Sequence, residues 1–140
     1  MTIIKINNKV KLELERFLKS SWYNEFEWGG FLLERNGIID EAVIIPNISD
    51  SPKNSYKLPL LSKTLAEKIA YSYRQRKTIA AEWHSHPEPF IMSQADTCYS
   101  QSKDVIEVMI TPLSKYSYHA DFEWYACKGM EPVRIQFVGK

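Results

Sequence analysis

Long uninterrupted apolar runs are missing from this sequence, as are a strong charge of either sign and a cysteine set large enough to staple a fold. A membrane-spanning helix needs roughly 18 or more consecutive apolar residues, and no such run occurs, so a span is excluded on length. The opening MTIIKINNKVKLELERF interleaves Lys and Glu with apolar residues and has no stretch of signal-peptide length, so export by that route is not expected. Eighteen basic and seventeen acidic side chains leave a formal charge of +1, too little for a global field that draws nucleic acid or an anionic membrane. Neither is expected as a partner. Two cysteines, Cys98 and Cys127, fall short of a secreted disulfide framework and neither belongs to a CxxC pair. They are expected to be reduced, structural and cytoplasmic, although sequence alone leaves a single disulfide between them open. What the chain has is 140 residues, 44% of them apolar and 25% charged, the composition of a soluble, folded single domain spanning 1–140.

Hydrophobic spacing divides that domain into elements. Leu14, Phe17 and Leu18 tip the segment 10–18 toward helix, with Glu13, Glu15 and Lys19 on its polar face. Residues 29–33 read as a buried strand, and Asn36-Gly37 is a two-residue turn signal joining it to a second strand over 38–45 as a hairpin. The Asn-, Ser- and Pro-rich stretch 46–59 reads as a loop. A second helix is expected over 62–77, with capping-box spacing at Thr64 and Glu67 and apolar residues at Leu65, Ile69 and Tyr73. Its Lys63, Lys68, Arg74 and Arg76 read as a solvated surface. The segment 78–85 (TIAAEWHS) is a strand candidate, Ser93 opens a short third helix, and 105–111, 116–127 and 133–138 read as strands separated by Pro112, Gly129 and Pro132. These elements predict an α+β domain, a mixed central β-sheet flanked by helices.

The chemistry concentrates where the 78–85 strand ends. His84 and His86 are two apart, and in extended chain such residues project from the same side, so both imidazoles converge on one point. Asp96, ten residues beyond His86, lies where a strand-to-helix turn would fold an oxygen ligand back toward them. Two imidazoles and one carboxylate suit a borderline ion such as zinc and leave a fourth position open, the arrangement that distinguishes catalytic from structural zinc. Each part has an ordinary explanation too. Histidines two apart occur on surfaces and in cores, and Ser93-x-x-Asp96 is a respectable helix N-cap. Their coincidence outweighs those explanations: two of the chain's three histidines fall within three positions, just ahead of that cap.

The string His84-Ser85-His86-Pro87 followed by Ser93-x-x-Asp96 resembles the JAMM signature of the JAB/MPN zinc metalloproteases, deubiquitinase-like isopeptidases of which compact prokaryotic members are the nearest in form. Upstream, Glu27-Trp28-Gly29-Gly30-Phe31-Leu32-Leu33 is similar to the segment that carries the family's catalytic glutamate, and Asn47, Pro52 and Tyr56 resemble the loop after it. The likeness spans most of 27–96. One departure is that six residues, PEPFIM, separate His86 from Ser93 where seven are usual, with Met92 in place of a small residue or proline. The resemblance implies an MPN-like (cytidine-deaminase-like) domain in which His84, His86 and Asp96 bind Zn2+. It also implies that Glu27 acts as general base and then acid, that Gly29 and Gly30 let the backbone pass close to the site, and that Ser93 donates a hydrogen bond to the oxyanion. The implied reaction is hydrolysis of the peptide or isopeptide bond after the C-terminal glycine of ubiquitin or a ubiquitin-like protein, with that protein or its conjugate as substrate. A conjugation-system protein is the further partner it implies, while a homodimer would follow from exposure of part of the aromatic group Trp22, Tyr23, Phe26 and Trp28.

Other acids compete for the role given to Glu27. Glu82 should share a strand face with His84, as a partner for an imidazole or as an edge residue. Glu25 would reach the site in a register shifted by two, Glu88 reads as solvent-exposed, and His119 lacks ligand neighbours and reads as structural. A non-catalytic scaffold of the same fold is the alternative function. A zinc deaminase would need a PCxxC pair that is absent, and a nucleic-acid module would need more than the Lys68, Arg74, Arg76 and Lys77 cluster. Trp22, Tyr23, Phe26 and Trp28 read mainly as packing residues.

Overall fold

The computed structural model describes residues 2–21, 27–45, 77–86, 106–113 and 121–139. Residues IIKIN alternate exposed and buried side chains and form β1 (Ile3–Asn7). The Oδ1 of Asn7 accepts the Lys9 amide at 2.8 Å, satisfying one of the donors left open at a helix start, and α1 (Asn8–Ser21) begins there. Val10, Leu14 and Leu18, four apart, form its buried stripe. Beside that stripe Lys11 and Glu15 pair across one turn at 3.1 Å, and Glu15 accepts the Trp124 Nε1–H at 3.2 Å.

The hairpin of β2 (Gly29–Arg35) and β3 (Ile38–Ile45) turns on Asn36 and Gly37, whose φ angles of 56° and 80° fit the twist that two-residue hairpins need. There follow β4 (Thr78–Ser85), β5 (Ile106–Pro112), β6 (Phe122–Lys128) and β7 (Glu131–Val138). Lys77, just ahead of β4, reaches across to β3, with Nζ 2.7 Å from Glu41 and 3.3 Å from Asp40. Burial works against its charge, but the two carboxylates outweigh that and raise its pKa. Lys77 is thus spent on an ion-pair clamp between strands and adds nothing to a basic patch.

The seven strands close into a barrel in the order β1-β3-β2-β4-β5-β6-β7. This corrects the expected α+β arrangement of a central sheet flanked by helices: the sheet closes on itself, and among the described residues one helix accompanies it. The physical reason lies in β1, which local pattern did not mark as a strand. It runs parallel to β7 from Ile3↔Arg134 to Asn7↔Val138 and meets β3 at Ile6↔Ile39, joining the two ends of what would otherwise be an open sheet. Pro132 also sits inside β7 rather than before it. It precedes Arg134, where pairing with β1 begins, so its missing N–H removes no bond from that ladder. The expected helices at 62–77 and after Ser93, and the loop 46–59, lie outside the described residues, apart from Lys77.

One apolar cluster draws on every described element: Val10, Leu14 and Leu18 of α1 meet inward residues of all seven strands, among them Ile6, Leu32, Ile39, Trp83, Ile110 and Val133. A second, formed by Phe31, Leu33, Val43 and Ile45, lies on the opposite face of the β2–β3 hairpin, so β2 is buried on both sides. That crowding fixes Gly30. A Cβ there would lie 1.9 Å from the Val43 carbonyl oxygen, and its φ of 156° disfavours a side chain as well. Because the obstacle is main chain of a central strand, Gly30→Ala is expected to cost at least about 2 kcal/mol in denaturant unfolding. Unchanged stability would show that β2 and β3 are not held this closely.

Candidate metal centre

The end of β4 presents three consecutive side chains with distinct environments: His84 and His86 half-buried, and Ser85 between them buried in the opposite direction. Ser85 fastens this end to the residues ahead of β2. Its amide donates to the Trp28 carbonyl at 2.7 Å, and its Oγ accepts the Trp28 amide at 3.0 Å. The pairing of β2 with β4, which sets Gly29 opposite His84, thereby extends to Trp28 and brings Glu27 over the histidines. On the other side the His86 amide donates to Ile110 of β5 at 3.0 Å. Phe17 of α1 stands edge-on to the Trp28 ring, with centroids 4.9 Å apart, so the strap carrying Glu27 is also anchored to the helix.

Three potential ligand groups converge as a result. The Nε2 atoms of His84 and His86 are 3.1 Å apart, and Nδ1 of His86 is 3.6 Å from Oε1 of Glu27. One ligand atom from each of Glu27, His84 and His86 lies within 4.8 Å of the others. The remaining nitrogen of His84, Nδ1, hydrogen-bonds the carboxylate of Glu107 on β5. Glu107 escaped the sequence reading. Its one signal is a charged residue inside the otherwise apolar strand Ile106-Glu107-Val108-Met109-Ile110. Glu82, weighed as an imidazole partner, stands opposite Glu107 in the β4–β5 register and also feels the charge of His84.

Burial sets the electrostatics. Only 2% of Glu27 is exposed, and loss of water raises its pKa from 4.5 to about 7, with His84 pulling the other way. His86 is lowered from 6.5 to about 3, first by burial and then by His84, so it is neutral near pH 7. Its contact with Glu27 is therefore that of a neutral imidazole with a carboxyl group, not a charge pair. Glu82 is raised, by burial first and then by the facing Glu107.

Of the residues singled out in the sequence, the fold thus brings Glu27, His84 and His86 together. Ser93, Asp96, Glu25, Glu88, His119 and the segment 87–92 lie outside the described residues, as do Trp22, Tyr23, Phe26 and Cys98. Trp28 packs against the main core and Cys127 is buried in β6. Gly29 borders His84 directly, whereas the tight neighbour of Gly30 is β3 rather than the site.

Solved structures share this architecture. Protein DSY2949 from Desulfitobacterium hafniense superposes with a TM-score of 0.63 at 16% identity, covering 98% of this chain and 94% of its own. AF2198, a JAB1/MPN domain protein from Archaeoglobus fulgidus, gives a TM-score of 0.56 at 16% identity, covering 97% of this chain and 100% of its own. The chain has an MPN-like fold. At such identities the likeness concerns the fold alone. No protein-family model and no curated protein matches the sequence.

The residues of this MPN-like fold suit a zinc ion. Imidazole nitrogens with a carboxylate oxygen form a typical zinc donor set, and two nitrogens bound tetrahedrally at ~2.0–2.1 Å stand about 3.3–3.4 Å apart. The observed Nε2 separation of 3.1 Å is close to that. Nδ1 of His84 is engaged by Glu107, so Nε2 is the nitrogen of that ring that faces His86.

The Glu27 shift has a consequence for stability. With its pKa higher in the fold than in the unfolded chain, the native state binds the extra proton between about pH 4.5 and 7, and stability falls as pH rises through that window. His86 has the opposite slope, losing stability as pH falls from 6.5 toward 3. In EDTA-treated protein, Glu27→Gln should therefore gain stability over the parent as pH rises from 4.5 to 7, reaching on the order of 2 kcal/mol once solvent screening is allowed for. A pH-independent difference in denaturant midpoints would contradict the burial of an ionisable Glu27.

Proposed function

We propose that this chain is a zinc-dependent metallohydrolase of the JAMM type, cleaving the peptide or isopeptide bond after the C-terminal glycine of a ubiquitin-like protein. The observation that carries the reading is the convergence of Glu27, His84 and His86 at the end of β4 in an MPN-like fold. In this reading His84 and His86 bind the ion with Asp96 as third ligand, which accounts for the JAMM spacing in the sequence. Zinc held there would supply polarisation of the scissile carbonyl and acidification of water.

The chain's own groups do the rest. Glu27, buried and poised near neutrality, takes up a proton from the attacking water and passes it to the departing amine, a transfer that works best for a group whose pKa lies near the working pH. The Ser85–Trp28 bonds hold that carboxylate within reach of the imidazoles, so the proton moves over a fixed distance. Ser93 donates a hydrogen bond to the oxygen on which charge develops. Neutral His86 is ready to bind a cation without first losing a proton.

The test is metal analysis together with turnover of a ubiquitin-like protein carrying a C-terminal extension. The parent is expected to bind one zinc and to cleave after the terminal glycine. Glu27→Gln should retain zinc and lose at least about 100-fold in rate, whereas His86→Ala should lose both metal and activity. Loss of zinc from Glu27→Gln would make Glu27 a ligand rather than the base. Stoichiometric zinc with no cleavage would replace the hydrolase with a non-catalytic subunit of the same fold, and absence of zinc would remove the reading altogether.

A further inference from the structure

A half-buried carboxylate near the start of an otherwise apolar strand needs a reason to be there, and among the described residues the side chain that the Glu107 carboxylate meets is His84. It lies on β5, parallel to β4, in the register Glu82↔Glu107 and His84↔Met109. Glu107 is thus diagonal to His84 on the same side of the sheet, a separation that a long side chain spans. Its carboxylate meets Nδ1 of His84, with side-chain exposures of 16% and 23%, so the bond is largely sheltered from competing water.

We propose that Glu107 is the positioning residue for His84, accepting the Nδ1–H so that the imidazole holds one tautomer and one ring orientation, with bare Nε2 turned toward His86 and Glu27. A carboxylate is an acceptor only, so the proton of a neutral His84 must sit on the nitrogen facing it. Without that bond the ring is free to carry its proton on Nε2, where it would point into the 3.1 Å gap to His86 and block the convergence of lone pairs. Glu82 shares that side of the sheet but stands opposite Glu107 in the register, and it is the Glu107 carboxylate that meets Nδ1. Glu107 touches no substrate in this scheme and acts through His84 alone. For metal affinity, though not for the tautomer, the inference rests on the zinc reading above.

Two measurements on the same proteins separate these parts. In metal-free, 15N-labelled parent, long-range 15N–1H spectra of the imidazoles should show His84 protonated at Nδ1 and bare at Nε2. In Glu107→Ala that pattern should be lost, and in Glu107→Gln, which keeps an acceptor oxygen, it should be at least partly restored. Zinc affinity from chelator competition should fall roughly 10–100-fold in Glu107→Ala and less in Glu107→Gln, with the thermal melt of each metal-free variant confirming that it folds. Should Glu107→Ala fail to fold, Glu107→Met, which fills similar volume without an acceptor oxygen, takes its place in both measurements. An unchanged His84 tautomer in the variant that lacks an acceptor at position 107, or a tautomer that shifts in Glu82→Gln but not in that variant, overturns the proposal. If the parent binds no zinc, the metal-centre reading and the affinity effect both fail, while the tautomer spectra still decide what Glu107 does to His84.

Discussion

The antiparallel pairing of β2 with β4 is the constraint from which the core and the site both follow. β2 is covered on both faces and flanked by β3 and β4, which leaves no freedom in its register: Gly29 must face His84 and Gly30 must face Trp83. The lack of a side chain at Gly30 lets β3 approach on one edge, and the two bonds between Ser85 and Trp28 prolong the ladder on the other. The strap that carries Glu27 is thereby an extension of the sheet rather than a loose approach to it. Position at the site is inherited from packing in the core.

The same pairing explains why an acidic group tolerates such burial. A carboxyl group taken out of water is costly to ionise, and burial accordingly raises the Glu27 pKa while His84 pulls it down. Sites that bind cations commonly carry this kind of local tension, a cluster of lone pairs and partly protonated acids that is stable only because the surrounding scaffold is over-determined. Glu82, on β4 and opposite Glu107 of β5, is likewise raised by burial and by that facing carboxylate.

Much of this was legible in local sequence. The Asn36-Gly37 turn, the 78–85 strand and the stripe Leu14, Phe17 and Leu18 announce themselves through short-range chemistry, and the structure has a hairpin, β4 and α1 there. The Glu27, His84 and His86 grouping was suggested by motif and is assembled by the register of two strands. Closure of the barrel was not legible, because β1 owes its place to partners near residues 39 and 134–138, and a five-residue alternation beside a helix gives no hint of them. Glu107 was missed for a related reason: its meaning comes from a parallel neighbour, and nothing within its own strand names that neighbour. Pro132 misled because its usual effect on a strand depends on whether its missing N–H faces a partner, which is a property of the sheet and not of the residue.

The long sequence separation of these pairings also governs the order in which the site comes into being. β2 meets β4, and β1 meets β7, only after long stretches of chain have closed into loops, and such contacts form late because the entropy of closure is lost before contact energy is gained. His84 and His86, by contrast, are near neighbours in any conformation. The nascent chain therefore already carries both imidazoles within three residues, and acquires the buried acid beside them only when the barrel shuts. The grouping of a buried acid with two imidazoles is in this way a property of the closed barrel, which the unfolded protein lacks.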